Sequence, residues 1–342
     1  MMLDSWISNK IGCDEGEALT RASLEQYQLN TLKDMLKYAV DRSSFYKEKY
    51  EGIDWENQLN TVSDISLLPL MTTEELKAHG NDIICVYADE ISRIVTQMTA
   101  GTTGNPKRVY FTEEDQELMI DYIHNGLQVM INPEDVFLLL MPCERPRSVG
   151  DLVRIGVERI GAKVIPVGAI PLDESMDDAV IDIMKKEGVT TGVATPQTGE
   201  RLARKTSNDS EIVAKIRTML LTAQYVSDDC VETVERLWKC KVFEHYGMTE
   251  MGLGGAMACS SRRGYHPREN DLLIEIVDPE TGIVLPEGEF GEIVFTTLTR
   301  RAMPLIRYRT GDFSRWLKGP CECGSILKIL DRVKGRDEQK PY

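Results

Sequence analysis

Thr99-Ala100-Gly101-Thr102-Thr103-Gly104-Asn105-Pro106-Lys107 is the stretch on which the reading of this chain turns. The residues before it (94–98) and after it (108–112) are rich in β-branched and aromatic types, so the stretch reads as a loop joining two strands. Gly101 and Gly104 lack a Cβ, which lets the backbone turn sharply and bring its N–H groups close to an anion. Thr99, Thr102 and Thr103 add hydroxyl donors, and Lys107 adds a point charge suited to phosphate. The pattern is not the Walker loop, because Pro106 stands between asparagine and lysine and no Gly-Lys-Ser/Thr opens a helix. Two readings are open on these residues alone: a phosphate cradle, or a polar hairpin loop.

Three further stretches decide between them. They are Tyr246-Gly247-Met248-Thr249-Glu250, Arg309-Thr310-Gly311-Asp312 and Gly335-Arg336-Asp337-Glu338. In that order, behind the 99–107 loop, they resemble the motif series of adenylate-forming (acyl-CoA synthetase-like, AMP-binding) enzymes. The chain is most similar to the phenylacetate–CoA ligase branch, which residues 68–76 and 302–308 also resemble. The resemblance covers nearly the whole chain. It implies an α/β fold, the large N-terminal part of an adenylate-forming enzyme: mostly parallel sheets flanked by helices, plus a small β-rich lobe. It implies ATP-dependent adenylation of an organic carboxylic acid, aromatic acids being among the candidates, with coenzyme A a candidate acceptor.

The resemblance also implies roles. Thr99, Gly101, Thr102, Thr103, Gly104 and Lys107 hold the pyrophosphate end of ATP. Tyr246 lies against adenine, Gly247 and Met248 shape the turn, the Thr249 hydroxyl meets the α-phosphate, and Glu250 holds Mg²⁺, for which a carboxylate is a suitably hard ligand. Asp312 accepts from the ribose hydroxyls of ATP or AMP, and Arg336 contacts ribose or phosphate. Ala223 and Gln224 stand where the family lines its adenine pocket. Lys107, Thr249 and Glu250 are the expected catalytic groups. Taken one at a time, Tyr246 reads equally well as core, Asp312 as a turn aspartate and Arg336 as a surface charge.

Composition bounds these expectations. A chain of 342 residues exceeds one usual core, so two subdomains are expected. A net charge of −15 argues against nucleic acid and anionic membranes as partners, so any nucleotide site must be locally basic. No apolar run approaches the ~20 residues that span a bilayer, and the first residues lack a signal-peptide core. The expected location is cytoplasmic. The eight cysteines then read as thiols or metal ligands rather than disulfides.

Along the chain, residues 1–90 read as a mostly helical lead-in, with Leu24, Leu32, Met35, Leu36 and Ala39 at helical spacing and capping boxes at Ser23/Gln26 and Thr72/Glu75. Residues 91–255 alternate strand-like and helix-like runs, which implies an α/β nucleotide-binding core. Residues 256–336 read as a β-rich lobe of hairpins, and 337–342 as a truncated hinge. The acyl pocket is expected between the ends of runs 136–143 and 193–197. Segment 141–147 has no aromatic residue, and Arg145 or Arg147 could meet a carboxylate or a second anion. His245, just before the tyrosine motif, reads either as a substrate contact or, as the favoured alternative, as a satisfied histidine of the core or behind the site.

Cys259, His266, Cys321 and Cys323 make a Cys₃His set, which satisfies tetrahedral Zn²⁺ with no open position. Gly319-Pro320 and Gly324 supply the turn that Cys-Glu-Cys chelation needs. The alternative is cysteines buried as small hydrophobes. Members of the phenylacetate–CoA ligase branch resemble this pattern, so structural zinc is expected. In the family a small C-terminal domain carrying a catalytic lysine follows the Gly-Arg hinge; here six residues follow Arg336. The expected partners are therefore a small carboxylic acid, a homodimer mate, and a separate protein supplying that domain. The alternative function is a non-catalytic nucleotide- or acyl-binding module.

Overall fold

The computed structural model describes residues 2–13, 17–97 and 106–333. The N-terminal part is helical: α1 (Met2–Ile11), α2 (Arg21–Arg42), α3 (Ser44–Lys49), α4 (Trp55–Gln58) and α5 (Thr73–Ala78). The Thr72/Glu75 capping box forms as the sequence indicates. The other box does not sit at Ser23/Gln26. Helix α2 starts earlier, with Thr20 as its N-cap and Ser23 as the reciprocating residue. A serine closing the box in place of Glu or Gln hides the signature from a sequence reading.

The decisive loop is flanked by two strands, β1 (Arg93–Gln97) and β2 (Lys107–Phe111), paired antiparallel. The register sets Gln97 opposite Lys107 and Arg93 opposite Phe111. After them come α6 (Glu113–Leu127), β3 (Val136–Leu139), α7 (Val149–Ile160), β4 (Lys163–Pro166), α8 (Asp177–Glu187), β5 (Thr191–Ala194), α9 (Pro196–Thr206), α10 (Ser210–Lys215), β6 (Thr218–Leu221), α11 (Asp228–Trp238) and β7 (Lys241–Tyr246). The strands that alternate with these helices, together with two short ones, β8 (Ala256–Ala258) and β9 (Tyr265–Pro267), form one seven-stranded sheet of order β4-β3-β5-β6-β7-β8-β9. Its first five strands are parallel and its last two antiparallel. Among the described residues parallel strand pairs are thus confined to one sheet, apart from a single parallel bridge between Met71 and Tyr308. A separate three-stranded antiparallel sheet is built from β10 (Leu272–Val277), β11 (Gly291–Thr297) and β12 (Tyr308–Ser314).

The parallel strands are apolar on both faces because helices cover both. Phe137, Leu139, Val193, Leu220 and Phe243 face one core, shared with Ile120 and Ile123 of α6 and Leu152 and Val157 of α7. Leu138, Ala194, Met219, Leu221 and Val242 face the other, shared with Val180, Leu202, Val234 and Trp238 of α8, α9 and α11. Strand order reverses between β3 and β5, where an open α/β sheet offers a crevice at the carboxyl ends of its strands. Two stretches far apart in sequence also meet: Arg307 donates to the Leu68 carbonyl at 2.6 Å, and Met71 bridges to Tyr308.

Candidate active site and metal centre

A cavity of about 620 Å³ opens at that crevice. Met141 and Pro142 enter from beyond β3, Val193 from β5, Thr222 and Ala223 from the end of β6, and His245 and Gly247 from β7. Ile123, Leu127, Val149 and Val153 line the helical side, and β1–β2 contribute Arg93, Val95, Gln97 and Lys107. Much of the wall is aliphatic. The expectation that the acyl pocket forms between the ends of the 136–143 and 193–197 runs agrees with Met141, Pro142 and Val193 lining it.

The polar end is assembled from three segments. The Thr249 hydroxyl accepts from the Gln97 side-chain amide at 2.7 Å. Lys107 Nζ forms an ion pair with Glu250 Oε1. The two side chains are only 9% and 1% exposed, so each is the other's main compensation in a poorly solvated place. The turn carrying Thr249 and Glu250 is fixed by its own backbone: Leu253 N–H donates to Met248 O at 3.0 Å and Gly255 N–H to Tyr246 O at 3.0 Å. That fold-back passes so close to Gly247 that a Cβ there would lie 2.2 Å from the Leu253 carbonyl oxygen. Two buried arginines hold the turn from behind. Arg300 donates to the Glu250 carbonyl at 2.6 Å, and Arg268 donates to that of Met251. Burial pulls the Arg300 guanidinium down to about 10.

Of the nucleotide-site expectations, Lys107, Ala223, Gly247, Met248, Thr249 and Glu250 are brought to one cavity. Gln224 is exposed and Tyr246 is buried, neither in the cavity wall. The Tyr246 hydroxyl instead donates to Asp312 Oδ2 at 3.1 Å, which links β7 to β12. Thr99, Gly101, Thr102, Thr103, Gly104 and Arg336 lie outside the described residues. Arg147 is committed to Glu113 at 2.8 Å, and Arg145 is exposed and absent from the cavity wall.

His245 is more than a core residue, since it faces the cavity and shares a hydrogen bond with the Thr222 hydroxyl at 3.2 Å. Burial, with Arg268 nearby, depresses its pKa to about 4, so the ring is neutral at physiological pH. An unfolded chain binds this proton below about pH 6.5, and the folded chain does not until about pH 4. The unfolded state therefore holds more protons in that window, and stability falls as pH falls through it, by at most about 1.4 kcal/mol per pH unit. His245→Asn should flatten this slope in urea unfolding followed between pH 7 and 5. An identical slope in the variant would exclude the neutral buried ring.

Sequence reasoning missed Gln97, Arg93, Arg268 and Arg300. For Gln97 a signal existed: it is the strand residue just before the loop that the register sets across from Lys107. For Arg300 there was none, because it is buried while its neighbour Arg301 is exposed.

A second cluster lies apart from the cavity wall. One ligand atom from each of Cys259, His266, Cys321 and Cys323 falls within 4.8 Å of the others. His266 Nδ1 is 3.0 Å from the Lys328 carbonyl, and Nε2 is 3.3 Å from Cys323 Sγ. A carbonyl partner on Nδ1 fixes the proton there and leaves the Nε2 lone pair toward the sulfurs, the orientation a ligating histidine needs. The donor set fits a tetrahedral Zn²⁺.

The family of AMP-binding enzymes matches residues 28–298. The phenylacetate-coenzyme A ligase of Thermus thermophilus is 28% identical over 330 residues, covering 95% of this chain and 73% of the relative. That of Escherichia coli is 28% identical, covering 95% and 74%. The crystal structure of 2-hydroxyisobutyryl-CoA ligase in complex with 2-HIB-AMP and CoA superposes with a TM-score of 0.82 at 21% identity, over 93% of this chain and 69% of that one, and so shares the fold. The chain belongs to the AMP-binding enzyme family. Within that family it is an adenylate-forming ligase. Among the described residues no helix is long and apolar enough to cross a membrane.

Proposed function

We propose that this chain adenylates a small carboxylic acid held in the cavity at the carboxyl ends of its parallel strands, with coenzyme A as the acceptor of the acyl group. The observation that carries the reading is the meeting of Gln97, Lys107, Thr249 and Glu250 at one end of an otherwise largely aliphatic chamber. Carboxylate and ATP are both anions, so their approach needs cations and donors held in place beforehand. Lys107 is the cation on the chain's own side. The Thr249 hydroxyl, oriented by Gln97, is the donor for the α-phosphate. Glu250 is the residue to hold Mg²⁺, which when bound offsets phosphate charge. Lys107 and Glu250 keep each other compensated until anion and cation replace them as partners. The aliphatic wall excludes water from the mixed anhydride.

The Tyr246–Asp312 pair serves the nucleotide, Asp312 accepting from the ribose hydroxyls while Tyr246 orients it. Asp312→Ala should weaken AMP binding by ~1–3 kcal/mol. Calorimetry showing equal AMP affinity in variant and wild type would remove Asp312 from the site. The Cys₃His cluster is a structural zinc site, supported by its donor chemistry and by the fixed tautomer of His266. The experiment for the whole reading is pyrophosphate release from MgATP screened across organic acids. Release that depends on one class of acid supports adenylation. Nucleotide binding with no release under any acid supports a binding module instead.

A further inference from the structure

The cavity wall carries one cation that the reaction above does not use. Arg93 stands on the same face of β1 as Val95 and Gln97, at the end away from the reacting groups. Four residue steps along the strand separate it from Gln97, which is about 13 Å at ~3.3 Å per residue. Its guanidinium has no hydrogen bond or ion pair among the described residues, and Nη1 is buried without a partner. Buried polar groups are normally satisfied, and an orphaned guanidinium nitrogen is a costly exception. Asp151 is the acid whose field reaches it, but that carboxylate already accepts from Arg154 at 2.7 Å and from the Arg147 backbone at 2.7 Å.

A second orphan lines the same chamber. Ser148 is the N-cap of α7, yet its hydroxyl makes no capping bond, and Oγ is buried with no partner. So a fork of donors and a free hydroxyl both border the chamber at the start of a 12-residue helix, whose N-terminal end favours negative charge. In the described wall, Glu250 is the only carboxylate, and Lys107 is already its partner. With His245 neutral, the wall residues themselves carry one positive charge in excess, Asp151 lying behind the wall with its own arginine partner, inside a chain whose net charge is −15. That excess sits at the end where the substrate's tail would lie.

We propose that the acid is a dicarboxylate: its reacting carboxylate meets the Lys107–Thr249 end, and its second carboxylate is received by Arg93 and the Ser148 hydroxyl. This rests on the adenylating reading of the cavity. A planar guanidinium takes a carboxylate through two parallel hydrogen bonds, which rejects a methyl in its place by leaving the buried donors unmet. The aliphatic walls between the two ends then select the length of the linking chain.

The test is equilibrium binding to the full chain, by calorimetry, of straight-chain dicarboxylic acids of increasing length and of monocarboxylic acids matched in length. Wild type should bind one diacid about 10- to 100-fold more tightly than its matched monoacid. Arg93→Met should abolish that preference, Arg93→Lys should keep part of it, and Ser148→Ala should reduce it a few-fold. Arg93→Met should melt no lower than wild type, since it removes an uncompensated charge. Equal binding of diacid and monoacid by wild type overturns the proposal, and so does a preference that survives Arg93→Met or one for a hydroxy acid over every diacid. Pyrophosphate release separates the two readings. Arg93-dependent diacid binding without release leaves the dicarboxylate site standing and removes adenylation. Release driven by monoacids alone does the reverse.

Discussion

Lys107→Met should cost the protein about 3–5 kcal/mol of stability and lower single-turnover acyl-adenylate formation about 10²- to 10³-fold. The two losses have different origins. The first arises because Glu250, 1% exposed, is left buried with its charge unpaired. The second arises because the transition state loses a cation that was already in place. A double variant separates them. In Lys107→Met/Glu250→Gln neither member of the pair is left charged and unpaired, so most of the stability should return while turnover stays low. Urea unfolding of the four proteins in this cycle supplies the measurement. A single Lys107→Met variant as stable as wild type would mean that the pair is not the compensation described here. Full recovery of turnover in the double variant would mean that Lys107 acts only by neutralising Glu250.

Removing metal from the Cys₃His cluster should have an effect of similar size on stability and a smaller one on chemistry. Elemental analysis of protein purified without added metal should find about one zinc per chain. A metal held at ~1,000 times its Kd adds about 4 kcal/mol to the folded state, so a strong chelator should lower the melting temperature on the order of 10 °C. Cys323→Ser should give the same drop without chelator and no further drop with it. The variant breaks one of four ligands and leaves the cavity wall intact. Protein that is free of metal and melts at the wild-type temperature would sink the zinc assignment.

The sequence shows most clearly what is local. Strand and helix alternate with the residue periods that two buried faces impose, and the resulting runs match β3 to β7 and α6, α7, α8, α9 and α11 closely, while the six-residue α10 is too short to show a period. Thr249 and Glu250 are legible because they share a five-residue motif, and the four residues of the Cys₃His cluster because their types suit one metal. What the sequence hides is pairing across distance. Nothing near residue 93 indicates that β1 will lie against a cavity floored by β3, β5, β6 and β7. Nothing in Arg268 or Arg300 indicates that each will be buried under the Thr249–Glu250 turn, since arginine in a polar run usually stays in water. The α2 cap is hidden for a smaller reason, a serine closing a box that glutamate or glutamine usually closes. Tyr246 and Asp312 were each legible as family positions, but their hydrogen bond joins two sheets and depends on how the sheets pack.

Strand β7 has one consequence for motion. It is the last parallel strand of the sheet and also the first rung of an antiparallel ladder, β7-β8-β9, which Tyr265 extends by two hydrogen bonds with Leu330 at 2.8 Å. The turn bearing Thr249 and Glu250 is the connection between the first two rungs, and His266 sits on the third. Such a turn cannot fray as a free surface loop does, because both its ends are anchored in adjoining rungs. Its amides and those of β8 and β9 therefore belong to one cooperative opening unit in hydrogen exchange. The lifetime of that turn is then governed at the far edge of the sheet, where the three cysteines and the histidine meet.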